Sequence, residues 1–158
     1  MTVVKIVSGG QTGVDRAALD TALELGLPCG GWCPAGRMAE DGPIPCRYPV
    51  RELAGAGYRQ RTRANVADSD ATLIIYFEEL EGGTAATLHD CLELGKPFKL
   101  IDGAEIAPRQ GARAVDRFLR RHGIGVLNVA GPRASKSPRA YRYARELLTA
   151  VLSGQRTP

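Results

Sequence analysis

The sequence lacks any long apolar segment. No stretch approaches the roughly 18 consecutive apolar residues that a membrane-spanning helix requires. The first residues, 2–5, lead into a short strand pattern and not into a charged segment followed by an apolar core, as a secretory signal would. We therefore expect a cytoplasmic protein that does not associate with membranes.

Cysteine and histidine are also scarce. The four cysteines, Cys29, Cys33, Cys46 and Cys91, match no standard zinc or haem spacing, and only two histidines accompany them. Reduced, structural thiols are the interpretation that this pattern favours. We predict no metal site.

The sequence contains few aromatic residues and only a small excess of positive charge. Aromatic residues make up 6%, and 21 Lys and Arg against 17 Asp and Glu give a net charge of +4. A nucleic-acid-binding surface would need a denser basic stripe or aromatic residues between the charges. We expect no nucleic-acid partner.

What the sequence does contain is a regular alternation of strand and helix patterns, which 158 residues can accommodate as one domain, 1–158. Short apolar runs predict strands at 3–7, 71–77, 98–101 and 126–129, and periodic apolar positions predict helices at 15–25, 62–69, 84–94, 112–122 and 137–152. Strands that alternate with helices are joined by right-handed crossovers and lie parallel. The pattern predicts an α/β fold, a doubly wound, mainly parallel sheet of four to five strands with helices on both faces.

Two segments fall outside this alternation. Residues 28–57 carry five prolines and several glycines that break every period, and we predict a long, ordered, functional loop there. Residues 154–158 are expected to form a flexible tail.

A first glycine-rich loop, residues 8–15, joins the first strand to the first helix. Glycines at a helix N-terminus let main-chain N–H groups converge on an anion, and hydroxyl groups can add donors. This loop predicts a phosphate site built from Ser8, Gly9, Gly10, Gln11, Thr12, Gly13 and Asp15. The alternative is a tight turn in which Asp15 caps the helix.

A second loop, residues 81–87, occupies the same place after the strongest strand. Its Gly82, Gly83, Thr84 and Thr87 predict another phosphate contact, or an ordinary turn between strand and helix. Because parallel strands end at one edge of the sheet, both loops are expected to hold a single phosphate.

A third loop, residues 131–136, precedes the last helix. Arg133, Ser135 and Lys136 in this loop could close the anion site, since arginine forms bidentate pairs and lysine supplies a point charge. Solvated surface charges are the alternative interpretation.

Three further residues are candidates for acid–base chemistry. Glu40 and Asp41 are adjacent carboxylates beside Arg37 in the long loop, and His89 lies within the predicted third helix. They could serve acid and base steps, or the carboxylates could form a salt-bridged loop.

Four blocks of sequence carry a resemblance to a known family: SGGQTGVDR at 8–16, GGWCP at 30–34, AEDG at 39–42 after Arg37, and NVAGPR at 128–133. Across nearly the whole chain the sequence resembles the "putative molybdenum carrier" family, the circularly permuted YpsA branch of the SLOG superfamily. The resemblance implies a Rossmann-like fold related to the lysine decarboxylase-like (LOG) proteins. It also implies a nucleotide or nucleotide-derived ligand, with molybdenum cofactor as a named candidate, and a homo-oligomer.

The related LOG enzymes cleave a base from a nucleoside monophosphate and carry the motif P-G-G-x-G-T-x-x-E. Gly82 and Gly83 match it, whereas Ala85, Ala86 and His89 stand where the motif has its third glycine, its threonine and its glutamate. A phosphoribohydrolase-like activity would then need a carboxylate from the long loop.

The resulting hypothesis is a protein that binds a phosphate-bearing small molecule, a molybdenum cofactor or a nucleotide. Trp32 and Arg37 are expected to cover the flat ring of this ligand by stacking. The alternative is a nucleotide-processing hydrolase that uses Glu40, Asp41 and His89.

Overall fold

The chain forms the predicted alternation of strands and helices in a computed structural model that describes residues 2–155. The five helices of this part of the chain are α1 (Val14–Glu24), α2 (Tyr58–Ala67), α3 (Gly82–Leu94), α4 (Pro108–His122) and α5 (Ala140–Gly154). The strands are β1 (Lys5–Val7), β2 (Cys29–Gly30), β3 (Trp32–Cys33), β4 (Met38–Ala39), β5 (Gly42–Pro43), β6 (Arg51–Glu52), β7 (Ala71–Tyr76), β8 (Phe98–Asp102) and β9 (Val126–Ala130).

Five of these strands form one parallel sheet in the order β2-β1-β9-β7-β8. Since all five run in one direction, the carboxyl ends of the neighbours β1, β9 and β7 lie side by side at one edge of the sheet. The predicted Rossmann-like α/β fold is confirmed.

Helices cover both faces of the sheet. Leu73 and Ile75 of β7 belong to the main apolar core with α1, α4 and α5. Ile74 between them points to the opposite face, where it packs with Val66 of α2 and Cys91 of α3. This alternation along one strand is what a strand buried on both faces requires.

Three helices begin elsewhere than the sequence pattern indicates, and α4 is one of them, since it begins at Pro108, four residues before the predicted start. Helix α2 begins at Tyr58, four residues before the predicted start, and the Gln60 side chain accepts a hydrogen bond from the Gly57 N–H at its beginning. Helix α5 begins at Ala140, since the N–H of Ser137 donates to the Arg133 carbonyl and so belongs to the preceding turn.

The segment 28–57 is ordered despite its prolines, and β2 inside it joins the main sheet as an edge strand. Its remaining strands pair only with one another, and a small core holds the segment against α1 through Leu19, Cys33, Ala39, Ile44, Tyr48 and Val50. At the other end of the chain α5 extends through Gly154, and Gln155 accepts a hydrogen bond from the Val3 N–H at 3.0 Å. The rest of the predicted tail, 156–158, lies outside the described residues.

None of the helices in residues 2–155 is long and apolar enough to cross a membrane.

Candidate ligand-binding cleft

A cleft of about 1230 Å³ opens at the carboxyl ends of β1, β7 and β9. All three predicted loops contribute to its lining, together with Glu40 of the long loop and the first turns of α2. The predicted site residues that line it are Gln11, Asp15, Glu40, Gly82, Gly83, Thr84, Thr87, Arg133, Ser135 and Lys136. The structure thus brings parts of all three loops to one concave surface.

The N-terminus of α3 presents unused hydrogen-bond donors to this cleft. Within the described residues, no group accepts a hydrogen bond from the main-chain N–H of Gly82, Gly83 or Thr84, and no side chain caps the helix. The Thr84 side chain is nine-tenths buried, and its hydroxyl has no partner in that part of the chain either. Three N–H groups and one hydroxyl at a helix N-terminus form a site suited to an anion.

A lysine stands beside these donors. The Lys136 ammonium lies 3.2 Å from Glu81 Oε1 and is close to Gly82. Lys136 and Glu81 are both substantially exposed, so their ion pair is weak and the lysine can turn to an incoming anion. Thr87 contributes less, because its hydroxyl donates to the Gly83 carbonyl within the helix at 2.9 Å.

The first loop differs from the expectation, because the N–H groups of Gly10, Gln11, Thr12 and Val14 are used inside the protein. The N–H groups of Gly10 and Gln11 donate to Ser8 Oγ and to Asp15 Oδ2, and the Thr12 N–H donates to Gln11 Oε1. At the start of α1, the Val14 N–H donates to the carbonyl of Pro132. Side chains and the third loop therefore occupy these donors, and the two loops do not present equivalent anion sites.

Two glycines of the first loop are needed for close packing. A Cβ atom on Gly9 would overlap the guanidinium of Arg61, and one on Gly13 would overlap the carbonyl oxygen of Pro132. Gly13 also has a φ of 80°, in the left-handed region. These glycines let neighbouring groups approach the loop.

Asp15 forms the buried wall of the cleft next to this loop. Its side chain is 5% exposed and its Oδ2 lies 3.5 Å from Arg61 Nη1. Burial raises the pKa of Asp15 above its ordinary value, although the charges of Arg61 and Arg16 and the N–H of Gln11 oppose that rise. A carboxyl group with a raised pKa in a cleft wall is a common property of functional sites.

Glu40 reaches the cleft from the β4–β5 hairpin and is surrounded by donors. Its Oε1 accepts hydrogen bonds from the Thr12 hydroxyl and the Ser135 N–H, the latter at 3.1 Å. Its Oε2 accepts one from the Ser135 hydroxyl at 2.5 Å and lies 3.3 Å from Arg133 Nε. Partial burial acts to raise the pKa of Glu40, but the hydrogen bonds from Ser135 and Thr12 outweigh it and hold the pKa below its ordinary value.

The other two acid–base candidates lie elsewhere. Asp41 accepts hydrogen bonds from Arg16 at 2.6 and 3.0 Å, which hold its pKa below the ordinary value. His89 is largely exposed on α3, where its Nε2 lies 2.9 Å from Glu93. Neither residue lines the cleft, so the structure does not bring Glu40, Asp41 and His89 together.

Trp32 and Arg37, predicted to stack on the ligand, are also placed away from the cleft. The Trp32 indole N–H donates to Asp68 at 2.7 Å on α2's C-terminal side. Arg37 donates to the carbonyl groups of four residues of its own loop, Ile44, Pro45, Tyr48 and Val50. Both side chains therefore organise the long loop.

Different aromatic residues line the cleft, and the sequence pattern did not single them out. Tyr58 is 49% exposed at the start of α2, with the Arg61 guanidinium 5.8 Å from its ring centre. Phe77 follows β7, and Arg139 lies 4.7 Å above its ring. The sequence could have indicated Phe77 as a cleft residue, because it directly follows the strongest strand. It could not have indicated Tyr58 and Arg61, because only the position of α2 in the fold brings them to the cleft.

Comparison with known proteins supports the fold and the family. Residues 6–152 match the family described as circularly permutated YpsA SLOG. The chain is also similar to a solved crystal structure named "putative molybdenum carrier protein", from Syntrophus aciditrophicus SB. The two are 44% identical with a TM-score of 0.94, and the match covers 96% of each chain. No curated protein matches the sequence.

Both comparisons agree with the resemblance that the four sequence blocks carry. The chain belongs to the circularly permutated YpsA SLOG family.

Proposed function

We propose that the cleft binds a phosphate-bearing small molecule, a nucleotide or pterin derivative, with its phosphate at the N-terminus of α3. The observation that carries this proposal is the set of unpartnered donors at Gly82, Gly83 and Thr84, with Lys136 beside them. Oriented N–H groups and the positive end of the helix dipole favour an anion there.

The aromatic side chains of the cleft support the proposal that the ligand carries the flat ring of a nucleotide or pterin. Tyr58 offers an exposed ring face, and Phe77 carries Arg139 on its face. Flat heterocycles stack on aromatic rings and on guanidinium planes. Tyr58 and Arg139 therefore replace Trp32 and Arg37 as the residues that we expect to contact the ring.

The name of the similar protein suggests molybdenum as part of the cargo. Within residues 2–155, no group of three His, Cys, Asp or Glu side chains is placed to hold a metal ion. The donors that are present fit an oxyanion, so we propose a phosphate-bearing carrier ligand such as molybdenum cofactor in preference to a bare metal ion.

Two general properties complete the proposal. All four cysteines are unpaired, which suits a reducing cytoplasm. Self-association, implied by the family resemblance, is proposed as well, and sedimentation velocity of the purified chain tests it.

A hydrolase is the second candidate, and Asp15 is the residue that favours it. This carboxyl group lines the cleft, is almost fully buried and has a raised pKa, properties that suit a general acid. Incubation with nucleoside monophosphates followed by chromatography for free base tests this candidate. Base release that is lost in Asp15→Asn would support it, and no release by the wild type would exclude these substrates.

Identification of the ligand comes first. Purified protein should be denatured and the released small molecules analysed by mass spectrometry. A phosphorylated heterocycle in stoichiometric amount is the expected result.

The α3 site itself is tested by Thr84→Val, which keeps the shape of the side chain and removes its hydroxyl. We expect the affinity for inorganic phosphate to fall about tenfold, since a hydrogen bond to a charged group contributes about 1.5–3 kcal/mol. Thr62→Val is the matched control, because Thr62 also lines the cleft but donates to the Tyr58 carbonyl at 2.8 Å. Equal affinities of the two variants for phosphate would contradict the placement of the anion at α3.

A further inference from the structure

The Glu40 carboxylate lies in a cluster of donors that has the composition of an anion-binding site. Two hydroxyl groups, one main-chain N–H and one guanidinium surround its two oxygens, supplied by Thr12, Ser135 and Arg133. These residues come from the first and third loops, whereas Glu40 comes from the β4–β5 hairpin, 95 residues from Ser135 in sequence. The cluster thus holds a carboxylate that reaches in from a separate segment.

The Glu40 side chain also retains contact with solvent. It is 23% exposed and lines the same cleft as the α3 donors. A ligand in the cleft therefore meets both the α3 donors and this cluster. Lys136 lies next to both the α3 donors and this cluster. Its ammonium lies beside Gly82, and its main-chain N–H donates to the Arg133 carbonyl at 3.1 Å.

We propose that Thr12, Arg133 and Ser135 form a second anion subsite of the cleft, and that Glu40 occupies it as an internal competitor until a ligand with more than one anionic group displaces it. This inference rests on the proposed function, since it presumes a first phosphate at α3. It names the ligand class more closely, as a compound with two or more phosphoryl groups, such as a nucleoside polyphosphate.

Competition has a definite thermodynamic consequence. A ligand group that must displace Glu40 binds with an affinity reduced by the stability of the Glu40 contacts. Neutralising Glu40 removes most of that stability, because hydrogen bonds to a charged acceptor are stronger than those to a neutral one. Affinity for a ligand that reaches the second subsite must then rise, whereas affinity for a ligand held at α3 alone must change little.

The experiment compares wild type with Glu40→Gln by calorimetry, using inorganic phosphate and tripolyphosphate as probes. The expected result is a gain of about tenfold or more in tripolyphosphate affinity and a much smaller change for phosphate. In the wild type, amide hydrogen exchange over residues 38–43 should become faster when tripolyphosphate binds, and not when phosphate binds. Thermal melting establishes that the variant is folded.

Asp41→Asn is the matched control. It removes one negative charge from the neighbouring residue of the same hairpin, but Asp41 pairs with Arg16 and not with the proposed subsite. If Asp41→Asn gains as much tripolyphosphate affinity as Glu40→Gln does, the gain results from the change in net charge alone. That outcome would overturn the inference.

Two further outcomes separate this inference from the proposed function. If phosphate binds in a Thr84-dependent manner and Glu40→Gln leaves tripolyphosphate affinity unchanged or weaker, the second subsite is refuted and the α3 site stands. If the wild type binds neither probe, the proposed function fails and this inference fails with it.

Discussion

The Nη1 atom of Arg61 lies 3.5 Å from the Oδ2 atom of Asp15, and both side chains are largely buried in the wall of the cleft. Arg61 comes from α2, and its guanidinium packs over Gly9, where no side chain intervenes. The Nε atom of Arg61 is buried without a hydrogen-bond partner among the described residues. Arg61 is thus held in place mainly by the negative charge of Asp15, and the two residues should depend on each other.

We predict that Arg61→Met destabilises the protein more at pH 8 than at pH 4. The pKa of Asp15 in the folded state is raised above its ordinary value of 3.8. The contribution of Asp15 to the free energy of unfolding is therefore fully present below pH 3.8, and it is lost as the pH rises through the folded-state pKa. Removal of Arg61 raises this pKa further, because an opposing positive charge is lost. The additional loss in the free energy of unfolding should be on the order of 2 kcal/mol at pH 8.

Urea denaturation of wild type and variant across this pH range measures the effect. Arg51→Met is the control, because Arg51 is exposed on β6 and its side chain has no ion pair among the described residues. A stability difference between Arg61→Met and wild type that is constant with pH would contradict the proposed dependence of Asp15 on Arg61.

Lys136→Gln should weaken phosphate binding about fivefold and make it less sensitive to salt. The ammonium group adds a charge-assisted contact at the α3 site, and its interaction with an anion is screened by ions. Calorimetric titrations at low and high ionic strength measure both effects. Lys99→Gln is the control, since Lys99 does not line the cleft. If the two variants show the same affinity and salt dependence, Lys136 does not contact the anion.

The sequence pattern was sufficient for the architecture, because apolar periodicity reports directly on burial. The continuous apolar run at β7 and the glycine after α3 predicted both elements to within two residues. The start of α2 was harder to predict from the sequence, because Tyr58 and Arg59 carry no apolar periodicity. A hydrogen bond to the Gln60 side chain fixes the beginning of the helix there.

The candidate site was only partly predictable, because the decisive contacts are long-range. The first and second loops look alike in sequence, yet side chains accept from the N–H groups of Gly10, Gln11 and Thr12 in the first loop. In the second, no group among the described residues accepts from the N–H groups of residues 82–84. Trp32 looked suited to stacking, but it is held by Asp68, 36 residues later. Composition and spacing indicate which residues can bind a ligand and not which of them the fold already uses.

Gly13→Ala should cost about 3 kcal/mol or more in the free energy of unfolding. Its φ of 80° is unfavourable for alanine, and the new Cβ would overlap the Pro132 carbonyl. Gly26→Ala provides the control, because Gly26 has a φ of 69° with no atom within 4 Å of an added Cβ. Backbone strain alone should limit that cost to about 1–2 kcal/mol. Equal losses in urea denaturation would show that the third loop does not pack tightly against Gly13.

The Arg37 side chain donates five hydrogen bonds to main-chain carbonyls of the long loop. Two go to Ile44, and one each goes to Pro45, Tyr48 and Val50, at 2.7–3.2 Å. A lysine has a single charged nitrogen and cannot reproduce this arrangement, so several partly buried carbonyls would lose their donors. We expect Arg37→Lys to lower the free energy of unfolding by about 2–3 kcal/mol.

Urea denaturation measures the global loss, and amide exchange of residues 38–50 reports whether the long loop opens first. Arg51→Lys makes the same chemical change at an exposed position and should stay within about 0.5 kcal/mol of wild type. Because Glu40 enters the cleft from this loop, Arg37→Lys should also release Glu40 from Ser135 more often. An Arg37→Lys variant as stable and as protected from exchange as Arg51→Lys would mean that Arg37 does not organise the loop.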